Sequence, residues 1–219
     1  MTSIALPTDP NSYITTLSQL VDEIRDEMDD TGYSLVKIYR AIARAEAMFN
    51  RMIRVPQMET EVDLAVTQEA TDLPIDFLAL RAVYSEGNPD NPLRSMSPNG
   101  LRSQYRGRAG TPQAYALENM RLVVGPVGNA MLTVLYYAKI LPLTEANPTN
   151  WLLRDYPDLY LHQVLAILFA KIGDRERGAE NLAIASALIE QVNSAGRKAR
   201  WGSAPLSPML ITQVPGSRI

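Results

Sequence analysis

The residues that decide the fold are 150–172, NWLLRDYPDLYLHQVLAILFAKI. Pro157 suits the first position of a helix and Asp158 suits its positive N-terminal end, so the stretch predicts a helix that begins at Pro157. The apolar side chains that follow cover nearly every face of this helix, and a helix of that kind is buried. We therefore expect it to lie at the centre of a group of helices.

The aromatic residues at the start of this stretch predict a join between the helices and the region before them. Only 7% of the chain is aromatic, yet Trp151, Tyr156 and Tyr160 lie close together. We expect them in the internal core first and at a subunit interface second. Asp155 and Asp158 form the one nearby carboxylate pair that a hydrolase would need, but closeness in sequence does not support catalysis by itself.

Two segments near the N-terminus also have helical periodicity. Residues 12–28 follow two candidate N-caps, Asn11 and Ser12, and a second helix runs from Ser34 until Pro56 stops it. The short turn between them predicts an antiparallel hairpin of helices.

The middle of the chain has a sequence pattern typical of β-strands. Its apolar runs are short, β-branched or alternating, and Gly, Pro and Asn separate them, which predicts an antiparallel sheet. A long connection, residues 86–112, carries four arginines, and Ser97-Pro98 within it predicts one turn of helix. The predicted strands are 61–67, 78–84, 114–117, 122–124 and 131–137.

A last helix follows residues 173–174 and is predicted to end at Gly196. The segment beyond it is rich in Pro, Gly and Ser but also carries large apolar side chains, which are poorly suited to exposure in water. We expect this arm to contact a neighbouring subunit or another protein, the alternative being a disordered terminus. The candidate interface residues are Arg197, Lys198, Arg200, Trp201, Leu206, Met209, Leu210 and Ile211.

The fold class expected from these elements is α+β, mainly α: a four-helix bundle with an inserted antiparallel β-sheet region and a C-terminal extended arm. The expected division is a helical hairpin (1–58), the β insertion (59–145), two helices that complete the bundle (146–196) and the arm (197–219).

Composition limits the possible functions. The chain has no Cys, one His and a net charge of −3, which excludes thiol chemistry and Cys-ligated zinc and argues against a dedicated nucleic-acid binder. His162 lacks a convergent set of partners, and we find no nucleotide-binding or nucleophile motif. We therefore predict no enzyme, no cofactor and no metal. No apolar run approaches the ~20 residues of a membrane span, and no signal peptide is recognised, so we expect no membrane association.

Acidic residues concentrate in the window 22–30, and the sequence leaves their role open. They could form a solvated helix face, line a channel or meet a basic partner surface. The four acids considered for such a role are Asp22, Asp26, Asp29 and Asp30.

Five short patterns occur in an order that resembles the phage head-to-tail adaptor (connector) proteins, with the tail tubular protein A type of short-tailed phages as the nearest likeness. They lie within residues 73–161, about half of the chain, and helices flank them. The patterns are Leu73-Pro74-Ile75-Asp76-Phe77, Gly110-Thr111-Pro112-Gln113-Ala114-Tyr115-Ala116, Leu122-Val123-Val124-Gly125-Pro126, Tyr136-Tyr137 with Leu141-Pro142-Leu143, and Trp151-Leu152-Leu153 with Tyr156-Pro157-Asp158-Leu159-Tyr160.

The resemblance implies a structural virion protein at the head-to-tail interface. Its copies, twelve by the resemblance, would form a ring below the portal protein and receive a tail tube or nozzle protein, and DNA would pass through without sequence-specific binding. The alternative from the residues alone is a free-standing helical module that recruits one partner through its C-terminal arm.

Overall fold

The computed structural model describes residues 14–30 and 32–201. Helix α1 is Leu17–Glu27, and a capping box starts it: the Thr16 hydroxyl accepts from the Gln19 amide while the Gln19 side chain accepts from the Thr16 amide. The predicted start near residue 12 is therefore wrong, and the proposed caps Asn11 and Ser12 lie outside the described residues. Helix α2 is Leu35–Met52 and follows Ser34 as predicted.

The centre of the helical part is the predicted apolar helix. A short helix, α4 (Trp151–Asp155), precedes it, and α5 (Pro157–Ile172) begins at Pro157 as expected. α1, α2 and the last helix, α6 (Arg175–Trp201), all pack against α5. The central position predicted for α5 is confirmed.

The last helix does not end at Gly196, as the sequence suggested, but continues to Trp201. Glycine at this position allows a close approach instead of a helix end, because a Cβ on Gly196 would lie 2.6 Å from Cγ1 of Val55. The αL conformation expected of a helix-ending glycine occurs at Gly173, which ends α5 with a φ of +93°.

The β region consists of two sheets. The first has the order β1 (Glu59–Val66), β7 (Ala130–Ala138), β3 (Phe77–Ser85), and both of its pairings are antiparallel. The second has the order β2 (Ala70–Asp72), β6 (Arg121–Gly125), β5 (Ala114–Glu118), β4 (Arg94–Ser95), in which β4 and β5 are parallel. All five predicted strands are present to within a few residues.

These sheets have an apolar core of their own. Val83, Val134 and Tyr136 of the first sheet pack with Tyr115 and Leu122 of the second. On the other side of the second sheet, alternate residues face helix α3 (Pro98–Tyr105), whose start at Ser97-Pro98 agrees with the sequence prediction. The connection 86–112 is therefore a folded part of this layer and not a long loop.

The expected architecture, a four-helix bundle with an inserted antiparallel sheet, is wrong. Six α-helices lie within residues 14–30 and 32–201, of which α3 belongs to the β region and α4 has only 5 residues. Two sheets, of three and four strands, form a β region with an apolar core separate from that of the helices, and one of the strand pairs is parallel. The expected extended arm, apart from the helical residues up to Trp201, lies outside the described residues.

Candidate functional site

The helices and the segment leaving the first sheet meet at a buried polar junction of Glu46, Asn150 and Tyr160. Asn150 is the N-cap of α4, and its Oδ1 accepts from the Leu153 amide at 2.8 Å. Its Nδ2 donates to the Leu141 carbonyl and to the Tyr160 hydroxyl, both at 2.8 Å. One side chain thus holds the start of α4, the chain leaving β7 and α5 together.

Glu46 of α2 completes the junction. Its Oε1 accepts from the Leu143 amide at 2.7 Å and from the Tyr160 hydroxyl at 3.3 Å. Burial raises the pKa of the Glu46 carboxyl, and the two hydrogen bonds lower it in part. Burial, followed by the negative charge of Glu46, raises the pKa of Tyr160, so its hydroxyl keeps the proton that it donates.

The aromatic residues predicted at the join lie around this junction. Tyr160 is fully buried, and its ring packs edge-on against Phe49 with 5.1 Å between the ring centroids. Trp151 and Tyr156 are partly buried against the same helical core. The sequence pattern identified the aromatic part of the junction, but Glu46 and Asn150, which supply its hydrogen bonds, were missed.

We expect the substitution Glu46→Gln to remove a pH dependence from the free energy of unfolding. Because the folded state raises the pKa of Glu46 above the ~4.3 of an exposed glutamate, wild-type stability falls as the pH rises through the interval between the two values. Glutamine still accepts both hydrogen bonds and carries no charge, so at pH 7 the variant should be as stable as wild type or more stable by up to ~1 kcal/mol. Urea unfolding at several pH values measures the difference.

The exposed Glu86→Gln variant is the control for this measurement. It should show the same pH dependence as wild type. A Glu46→Gln variant that also follows the wild-type curve would show that Glu46 has an ordinary pKa in the folded protein.

A second polar cluster attaches the end of α6 to the first sheet. Glu59 at the start of β1 forms ion pairs with Arg200 through Oε1 and with Arg81 through Oε2. Arg200 also donates to the Tyr137 hydroxyl at 2.7 Å, and its guanidinium lies 5.9 Å from the centroid of the Tyr137 ring. Arg200, predicted at a subunit interface, therefore has partners within its own chain.

The other predicted interface residues fall in two groups. Arg197 is exposed and pairs with Glu190 at 2.8 Å, and Lys198 is exposed on the same helix. Trp201 is the last residue of α6. Leu206, Met209, Leu210 and Ile211 lie outside the described residues.

The acidic window forms an exposed face at the end of α1. Asp22, Asp26, Asp29 and Asp30 are all exposed. Asp30 also has a local role, since its Oδ1 accepts from the Gly32 amide at 3.0 Å in the turn before α2. Burial, and then the charges of Asp26 and Glu27, raise the pKa of neighbouring Glu23. Asp26 and Glu27 therefore act on Glu23 electrostatically.

An apolar groove between α1, α2 and residues 145–148 was not expected from the sequence. It has a volume of about 400 Å³ and is lined by apolar side chains with acids at its edge. Leu35 at the start of α2 is 42% exposed, and Val36 and Tyr39 beside it are 58% and 38% exposed. The sequence signal that could have indicated this groove is the pair of apolar residues at 36 and 39, which lie outside the buried side of α2. The lining residues are Leu17, Ser18, Val21, Asp22, Arg25, Leu35, Tyr39, Glu145 and Pro148.

The single histidine has a structural contact. His162 Nδ1 lies 2.8 Å from Oδ1 of Asn181, so it links α5 to α6. Across residues 14–30 and 32–201, no group of three or more potential metal ligands is found. Within that same part of the chain, no helix has the length and apolar character needed to cross a membrane.

Comparison with known proteins gives one match. The protein-family model described as SU10 adaptor protein matches residues 15–209, a range that includes every helix and strand described above. No curated protein matches the chain.

Proposed function

The chain belongs to the SU10 adaptor protein family and is accordingly a structural phage adaptor, and we propose that it forms a ring which joins the portal to the tail. In this proposal copies of the chain bind the portal protein on one side and a tail tube or nozzle protein on the other. The ring, of twelve copies by the resemblance to the tail tubular protein A type, surrounds a conduit for genomic DNA. The observation that carries the proposal is the family match across most of the chain.

The architecture supports this proposal because the chain offers distinct surfaces on rigidly joined parts. A closed ring needs two different complementary surfaces on each copy. The groove between α1 and α2 lies at one end of α2, and the end of α6 lies at the other, beside Val55 and Glu59. The buried junction of Glu46, Asn150 and Tyr160 holds the helices and the β region in one arrangement.

Mixing the purified chain with portal protein from the same phage tests the proposed function. Mass photometry should show a single particle heavier than the portal by a fixed number of chains, and electron microscopy should show a ring on one face of the portal. A chain that stays monomeric with the portal, or that binds another protein one to one, would contradict the ring and support a free-standing binding module.

We propose the C-terminal arm as an interface because of its apolar residues.

The acids of α1 are proposed to face either the channel or a basic surface of the portal. Negative charge on a channel wall repels DNA phosphates and prevents the duplex from adhering. The same charge on an outer face would attract a basic partner.

The double substitution Asp26→Lys/Glu27→Lys should distinguish these two positions. Both side chains are exposed in the last turn of α1 and neither lines the α1/α2 groove, so the fold should tolerate the change within ~0.5 kcal/mol. Channel-facing residues would slow DNA ejection and leave ring assembly intact, whereas portal-facing residues would prevent assembly. Ejection is followed by dye binding to released DNA and assembly by mass photometry.

The control is Glu86→Lys/Asp90→Lys, which makes the same change of charge on an exposed turn of the β region. If the two double variants behave alike, the acids of α1 form only a solvated face.

A further inference from the structure

We propose that the C-terminal arm of one copy binds in the α1/α2 groove of a neighbouring copy. This inference rests on the proposed ring and adds the identity of the two surfaces that meet in it. The arm is residues 202–219, and the groove is the one lined by Leu17, Val21, Leu35 and Tyr39.

The groove has the chemistry to bind an apolar chain segment. Leu17 and Val21 form a buried floor, while Leu35 and Tyr39 at its wall keep about two fifths of their surface exposed to water. Val36, next to the wall, is 58% exposed. Exposed large apolar side chains grouped at a concave site are typical of a surface that another chain covers.

Charge selects the arm as the occupant. The groove edge carries Asp22 and Glu145, and the one base in its lining, Arg25, donates from Nε and Nη2 to the Tyr33 carbonyl. Residues 202–219 contain Arg218 and no acid, and they follow the bases Arg197 and Lys198. Five of their six large apolar residues lie within nine positions and match the groove floor in character: Leu206, Met209, Leu210, Ile211 and Val214.

Distance favours the groove of another copy over that of the same chain. The last turns of α6 contact Val55 and Glu59, just beyond the C-terminal end of α2, whereas Leu35 and Tyr39 lie at its N-terminal end. At 1.5 Å per residue this separation is roughly 25 Å. Leu206 lies five residues after Trp201 and reaches at most ~17 Å, so it cannot contact the groove of its own chain. Leu210 would span the distance, at ~30 Å, only with every residue before it fully extended along the molecule.

An arm at one end and a groove at the other make the contact heterologous. Each copy donates one arm and receives one arm, so the contact repeats around a closed ring without leaving an unpaired surface. A segment bound in this way links neighbours through a connection that is independent of the faces meeting portal and tail.

Site-directed disulfide formation tests the contact, since the chain contains no cysteine. Two full-length preparations with different tags, Tyr39→Cys and Leu210→Cys, are mixed, assembled on the portal and oxidised mildly. We expect a covalent dimer of the two tagged chains, in yield roughly tenfold above that of the control pair Leu182→Cys with Leu210→Cys, because docking raises the local concentration. Leu182 is similarly exposed, at 43%, but lies on α6 away from the groove. Adding Leu35→Glu to the Tyr39→Cys chain should reduce the yield to the control level.

The outcomes separate this inference from the function on which it rests. Rings that form while the two pairs cross-link equally would overturn the groove contact and leave the adaptor ring intact. A Tyr39→Cys/Leu210→Cys chain that closes a disulfide within itself, as a faster band on a nonreducing gel, would also overturn it. Wild-type chains that form no ring on the portal would contradict the proposed function itself.

Discussion

A chain truncated after Trp201 is expected to keep its fold and to lose ring assembly. The described core, from Ile14 to Val192, is closed without residues 202–219, and Arg200 retains Glu59 and Tyr137. The deletion removes six large apolar side chains, and burying each is worth roughly 1.5–3 kcal/mol. Even when only two of them bury fully, the contact between neighbours weakens by about 3 kcal/mol, which is more than a hundredfold in affinity.

Mass photometry with the portal measures assembly, and thermal unfolding measures the fold. A chain truncated after Val214 is the matched control, since it keeps Leu206 to Val214 and loses only residues 215–219, among them Arg218 and Ile219. It should assemble to within about fivefold of the wild-type affinity, because one exposed charge contact is worth at most ~1 kcal/mol. Normal assembly of the chain truncated after Trp201 would show that the arm contributes to neither the ring nor the portal contact.

Local sequence patterns identified the elements well where the signal is short-range. Pro157 and the apolar residues after it predicted α5, and Ser97-Pro98 predicted α3. The runs 114–117 and 122–124 lie within β5 and β6, which pair antiparallel. A short turn joins these two strands, so residues close together in the sequence are enough to predict the hairpin. The strands β2 and β4, with 3 and 2 residues, are too short to show any periodicity.

The architecture was not predictable because pairing between distant segments decides it. The two sheets share a core through side chains such as Val83 and Leu122, and a run of apolar residues does not specify which other run it faces. The parallel pairing of β4 with β5 is of the same kind. Because the sequence pattern assigned all the strands to one sheet and the rest of the chain to four helices, it predicted a four-helix bundle.

The polar contacts were missed for the same physical reason. Glu46 bonds to Leu143, 97 residues later, and Arg200 pairs with Glu59, 141 residues earlier. A buried glutamate on an apolar stripe is a visible anomaly, because carboxylates are rarely buried without partners. Its partner, however, is a backbone amide that no sequence pattern marks.

We expect Asn150→Ala to destabilise the fold by about 3 kcal/mol. Loss of the α4 N-cap costs ~1 kcal/mol. Alanine also leaves the Leu141 carbonyl without its donor and removes one partner of the Tyr160 hydroxyl, and each such buried group costs roughly 1–3 kcal/mol. For a chain of 219 residues this corresponds to a fall in Tm of about 6–12 °C.

The effect should extend to function because Asn150 joins the parts that carry the proposed surfaces. Without it, the hydrogen bonds that remain between the segment from β7 and α2 are those to Glu46 and to the Asn50 side chain, which accepts from the Ile140 amide at 2.8 Å. The join between the β region and the helices would then be less tightly held, and ring assembly should weaken with the lost stability. Asn147→Ala is the control, because Asn147 is exposed three residues away and its side chain makes no hydrogen bond in the described part of the chain. Calorimetry that shows equal Tm values for the two variants would mean that α4 and α5 are held by their apolar packing alone, and that the hydrogen bonds of Asn150 add nothing to the join.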